Sequence, residues 1–112
     1  MLKLLIADDE KAIRDSISTL IDWNSLEIKL IGTAKNGIDA YNIILDQYPD
    51  IILTDIKMPG LTGLELIRKI HEIAPQTEFI ILSGYGEFEF AKEAMQYGVQ
   101  HYLLKPCTTE QI

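Results

Sequence analysis

Short apolar stretches and helix-period stretches alternate along the chain. The apolar ones fall at 3–7, 28–34, 51–54, 79–82 and 102–104. Three of them, LLIA, IILT and FIIL, are apolar nearly throughout, as strands covered on both faces should be. Between them the period lengthens. Ile13, Ile17, Leu20 and Ile21 fall on one face of a helix over about 11–22, and Ala40, Tyr41, Ile44 and Tyr48 on one over about 37–47. Leu66, Ile67, Ile70, Ile73 and Ala74 stripe a third helix, opened by Thr62-x-x-Glu65 at capping-box spacing. Phe88, Ala91, Met95 and Gly98 stripe a fourth over about 87–97, with Phe90, Ala94 and Tyr97 as a second stripe suited to docking. Glycines and prolines punctuate the joints.

The order is βαβαβαβαβ, which predicts an α/β fold: a parallel sheet with helices on both faces. Thr108-x-x-Gln111 repeats the capping-box spacing and announces a fifth helix, most of which would lie past Ile112. Residues 1–112 are therefore expected to form one domain lacking most of that helix.

Composition narrows the function. Seventeen acidic against ten basic residues leave a net charge of −7, which argues against this segment wrapping nucleic acid or an anionic membrane. No run approaches the roughly 18 apolar residues of a membrane span. MLKLLIADDE has too short an apolar run, followed by acids, to be a signal peptide. A lone Cys107 excludes an internal disulfide and suits a reducing compartment, so the cytoplasm is expected.

The chemistry gathers at strand ends. The first strand runs straight into three carboxylates, Asp8-Asp9-Glu10; the third ends in Asp55, the fourth in Ser83 and the fifth in Lys105. In open parallel sheets ligands bind at the carboxyl ends of strands, so these residues should meet at one edge. Packed carboxylates need a cation, and an all-oxygen set without His or Cys favours a hard ion such as Mg2+ over zinc. A carboxylate beside Mg2+ can attack phosphorus and form an aspartyl phosphate. Lys105 and the Ser83 hydroxyl could then hold phosphoryl oxygens.

Asp8-Asp9 after LLIA, Asp55 in DIILTDIKMPG, Ser83 after FIIL and Lys105-Pro106 in HYLLKP together resemble the receiver domain of two-component response regulators, over about 2–108. The resemblance implies a flavodoxin-like, doubly wound, five-stranded sheet in the order 2-1-3-4-5. It implies that Asp55 is the phosphoacceptor and that Asp9 is a direct Mg2+ ligand, with Asp8 acting mainly through water and the Lys57 carbonyl completing the protein ligands. It casts Lys105 as the phosphate-binding lysine, and Ser83 and Tyr102 as the switch pair. Ile21-Asp22-Trp23 and LSGYGEFEFAKEAMQYGVQHYLLKP further resemble receivers that precede AraC-type DNA-binding domains.

The expected partner is a sensor histidine kinase. The expected output is dimerisation through the fourth helix and fifth strand, or control of a DNA-binding domain outside these 112 residues; DNA is contacted only through that domain, and no membrane is involved. Such a module is a switch and not an enzyme. The competing reading is a Mg2+-dependent phosphohydrolase that also forms an aspartyl phosphate, as haloacid-dehalogenase-like phosphatases do. Those carry Asp-x-Asp at the first strand and a cap, whereas this chain has Asp8-Asp9 without the spacer and no cap insertion. His71 and His101 read as solvated, Trp23 as packing over the end of the first helix, and Asp50 as the entry to the third strand.

Overall fold

The computed structural model describes residues 2–83, 92, 93, 95–97, 99 and 101–104, with the backbone alone at Leu20, Ser83 and 101–104. Strands β1 (Leu2–Ala7), β2 (Ile28–Ala34), β3 (Ile51–Asp55), β4 (Glu78–Ser83) and β5 (His101–Leu104) form one sheet in the order β2-β1-β3-β4-β5. All four pairings are parallel. This is the doubly wound order expected, and chain progression reverses between β1 and β3.

The apolar runs are explained by two cores, one on each face. Leu5, Ala7, Ile52, Phe79 and Ile81 point to one side and pack with Ala40 and Ile44 of α2 (Gly37–Gln47) and Leu66, Ile67 and Ile70 of α3 (Gly63–Ile73). Leu4, Ile6, Leu53 and Leu82 point to the other and pack with Ile17 of α1 (Lys11–Leu20) and with Trp23. Side chains alternate across a strand, so a strand covered on both sides must be apolar at every step.

Local signals set the helix limits. Thr62 and Glu65 make the expected capping box, with Thr62 Oγ1 accepting from Glu65 N at 3.2 Å. Asn36 caps α2, its side-chain oxygen accepting from Asp39 N at 2.8 Å. Helix α1 stops at Leu20, short of the expected 22, because Ile21 is extended and Asp22 opens a 3-10 turn over Trp23–Leu26. Trp23 is buried there, and its Nε1 donates to the Ile17 carbonyl at 3.1 Å, closing the last turn of α1.

Several expected faces are corrected. By period Tyr48 continues the buried stripe of α2, but it is the left-handed C-cap (φ 50) and is 67% exposed. Ile73, at the end of α3, is 54% exposed. The fourth helix lies mostly outside the described residues. One residue of each expected stripe is described: Met95, expected on the buried stripe, is 45% exposed, while Tyr97, expected on the docking stripe, packs partly buried against the core that holds Val99. The expected fifth helix lies outside the described residues, as do Cys107 and the side chains of Tyr102 and His101. His71 is exposed, as expected. Asp50 does more than begin a strand: its Oδ2 accepts from Lys3 N at 2.8 Å, and its carbonyl accepts from Glu78 N at 3.0 Å. It therefore ties β1, β3 and β4 together at the edge opposite the acids. No described helix is long and apolar enough to cross a membrane.

Candidate functional site

Strand register brings the site residues to one edge. Ala7 pairs with Thr54, so one step further sets Asp8 beside Asp55 on neighbouring strands, which lie roughly 4.8 Å apart. The alternation that sends Leu4, Ile6 and Leu53 to the α1 side continues through Asp8 and Asp55. Asp55 in turn pairs with Leu82, and Ser83 with Leu104. The backbone of Ser83 thus lies one step past Asp55 along the same edge, and Lys105 follows Leu104 in the chain. The side chain of Ser83, all of Lys105 and the side chain of Tyr102 lie outside the described residues.

The carboxylates differ in burial. Asp8 is 0% exposed and Asp55 3%, whereas Asp9 and Glu10 face solvent. One oxygen each from Asp8, Asp9 and Glu10 lies within 4.8 Å of the others. Local hydrogen bonding makes the turn that gathers them: Asp8 N donates to Ala34 O at 3.0 Å, Glu10 N to Asp8 Oδ1 at 2.9 Å, and Arg14 Nη1 to Asp8 O at 2.7 Å. Helix α1 begins at the next residue, so its partial positive end faces the acids. These oxygens fit a hard, oxygen-seeking cation, and no His or Cys belongs to the cluster among the described residues.

Asp55 is held from below by its own strand and from the side by α3. Its Oδ1 accepts from Ile56 N at 2.8 Å. The first residue of α3, Gly63, lies so close that a Cβ there would sit 2.1 Å from the Asp55 carbonyl oxygen, and Gly63 N donates to Ile56 O at 2.7 Å. Gly37, opening α2, is similarly pressed on the Leu61 carbonyl. Lys57 is exposed two residues past Asp55, while its neighbour Met58 is buried and anchors the loop.

Gly63 and Arg14 were not singled out from the sequence. A glycine just inside a capping box, where most residues favour the helix more, was a legible sign of close packing. For Arg14 no such sign existed, since its acceptor is a main-chain oxygen.

A parallel sheet in this order defines a flavodoxin-like domain, and the acids at the ends of its first and third strands lie at the switch point, where such sheets bind ligands. Residues 4–112 match the model of the response regulator receiver domain, and the chain belongs to that family. It is 56% identical over 112 residues to the uncharacterized transcriptional regulatory protein YesN of Bacillus subtilis, covering all of this chain and 30% of that one. To the transcriptional regulatory protein HptR of Staphylococcus aureus it is 38% identical, covering all of this chain and 44% of that one. It thus spans less than half the length of these curated relatives. Among solved structures, the REC domain of AraT, a response regulator from Geobacillus stearothermophilus, superposes with a TM-score of 0.93 at 38% identity, over 97% of this chain and 84% of that one. A two-component transcriptional regulator AraC from Clostridium phytofermentans gives 0.90 at 36%, over 99% and 86%.

The chain is therefore a phosphorylation-controlled signalling module related to transcriptional regulators, and not an enzyme. The phosphohydrolase reading is not favoured. The family binds Mg2+ at an acidic site, and this chain has an acidic cluster at the corresponding strand end.

Proposed function

We propose that Asp55 accepts a phosphoryl group from a sensor histidine kinase and that Asp8, Asp9, Asp55 and the Lys57 carbonyl hold the Mg2+ that supports the transfer. The observation that supports this most is the register that sets buried Asp8 beside buried Asp55, with Asp9 next to them in solvent. When bound, Mg2+ would neutralise the acids and the charge on the incoming phosphoryl oxygens.

An Asp55 carboxylate oxygen forms the new O–P bond as the P–N bond to the kinase imidazole breaks, the electron pair leaving on nitrogen. The Ile56 N–H, which donates to Oδ1 at 2.8 Å, helps hold the carboxylate at the strand end. Asp9, exposed, is assigned as the direct metal ligand, and Asp8, deeply buried, as the water-mediated one. Ser83, the last residue of β4, and Lys105, which follows β5 in the chain, are assigned to the phosphoryl oxygens.

The output follows the same reading. Ser83 turning toward the phosphoryl group draws in the loop behind it, Tyr102 follows, and the surface of the fourth helix and β5 changes. That surface would drive homodimerisation or control a DNA-binding domain carried elsewhere in the full-length protein, in the cytoplasm. Residues 1–112 act as one receiver domain.

Acetyl phosphate with MgCl2 tests the acceptor. Incubation should add one alkali-labile phosphoryl group to the chain, and none to Asp55→Asn or in excess chelator. Labelling that survives either change would overturn the assignment.

A further inference from the structure

We infer that Arg14 is a positioning residue for Mg2+ binding, acting through the main chain of the acidic turn; this rests on reading that turn as the metal site. Arg14 lies one turn into α1 and is half-buried. Its Nη1 donates at 2.7 Å to the carbonyl oxygen of Asp8, a charge-assisted bond of the stronger kind. Its own backbone is fixed in the helix: Arg14 N donates to Glu10 O at 3.1 Å, and Arg14 O accepts from Ser18 Oγ at 2.6 Å.

The bonded atom is what gives the contact its consequence. The Asp8 carbonyl belongs to the peptide unit that joins Asp8 to Asp9, and that unit is planar from one Cα to the next. Fixing its oxygen therefore fixes the direction in which the chain enters Asp9, the exposed acid assigned as direct ligand. With Asp8 N bound to Ala34 O and Asp8 Oδ1 bound by Glu10 N, the guanidinium completes a three-sided grip on Asp8. Asp9 is thereby delivered from a rigid residue.

A guanidinium beside three carboxylates has a second effect, and its sign is opposite. Its charge relieves repulsion among the acids and competes with an arriving cation. Charge alone predicts tighter Mg2+ when Arg14 is removed, whereas positioning predicts weaker. The contact falls on a backbone carbonyl, and the side chain is open to solvent enough for screening to weaken the charge effect. Positioning therefore wins.

Calorimetric titration of MgCl2 into the chain and its variants decides the matter. The parent should bind, and Arg14→Met should bind about tenfold more weakly, the lower end for removal of an outer-shell partner. Arg14→Gln, neutral but able to donate to the same carbonyl, should recover part of the loss, and Arg14→Lys likewise. Equal or tighter binding by the Met and Gln variants would overturn the inference. Should Arg14→Met fail to unfold cooperatively in metal-free urea titrations, Gln and Lys carry the comparison against the parent, and both should still bind more weakly than it. A parent that binds no Mg2+ would instead remove the metal-site reading, and the inference with it.

Discussion

Gly63→Ala would press directly on the backbone of Asp55. The new methyl carbon would lie 2.1 Å from the Asp55 carbonyl oxygen, 3.0 Å from Ile56 Cα and 3.1 Å from the Asp55 carbonyl carbon. Carbon and oxygen normally approach no nearer than roughly 3.3 Å, so the start of α3 and the end of β3 must separate by on the order of 1 Å. Every one of these neighbours is backbone, and no side chain can rotate away. Separation also stretches the 2.7 Å bond from Gly63 N to Ile56 O.

Alanine gains up to about 1 kcal/mol in helix propensity. Against that stand overpacking at about 1–3 kcal/mol and the weakened hydrogen bond at about 1 kcal/mol. The net expectation is a loss of about 1–3 kcal/mol. Urea unfolding should show the midpoint falling by roughly 0.5–3 M with an unchanged slope, given slopes on the order of 1–2 kcal/mol per M. The folded variant should also label more slowly with acetyl phosphate, because the backbone of Asp55 itself has moved. A midpoint equal to or above that of the parent would show instead that α3 slides freely over the strand end.

Other substitutions test single contacts. Thr62→Ala removes half of the capping box and should cost about 1 kcal/mol in urea unfolding. Trp23→Phe leaves the Ile17 carbonyl without its indole donor and should lower stability by about 1–2 kcal/mol, read by thermal unfolding. Asp9→Asn should leave the metal-free fold as stable or more stable, since like-charge repulsion falls. Mg2+ at about a hundred times its Kd should raise parent stability by about 2.7 kcal/mol and leave Asp9→Asn nearly unmoved in the same thermal scan.

The strands were legible because the sheet is covered on both faces. LLIA, IILT and FIIL are apolar but for Thr54, and the observed strands match the expected ones to within one residue at either end. Helix faces were less secure near their ends. Tyr48 continued the period of Ala40 and Ile44, but a left-handed cap turned it outward, and periodicity carries no information about backbone handedness. On the fourth helix periodicity offered two stripes, and at Tyr97 the contact with the core came from tertiary neighbours that no period reveals. The acidic edge could be read because chemistry placed Asp8, Asp9 and Asp55 at strand ends. The bracing around it could not. Arg14 and Asp50 act through main-chain atoms whose nearness depends on register and helix placement, and no residue pattern encodes that.

In the proposed reaction Asp55, and no neighbouring acid, carries the phosphoryl group. Borohydride reduction tests this directly, because it converts an aspartyl phosphate into homoserine at the residue that bore it. After labelling with acetyl phosphate and MgCl2, reduction and peptide mass mapping should find homoserine at position 55 and intact aspartate at 8 and 9. Homoserine at position 8 or 9, or equal conversion at 55 without the phosphodonor, would contradict the account.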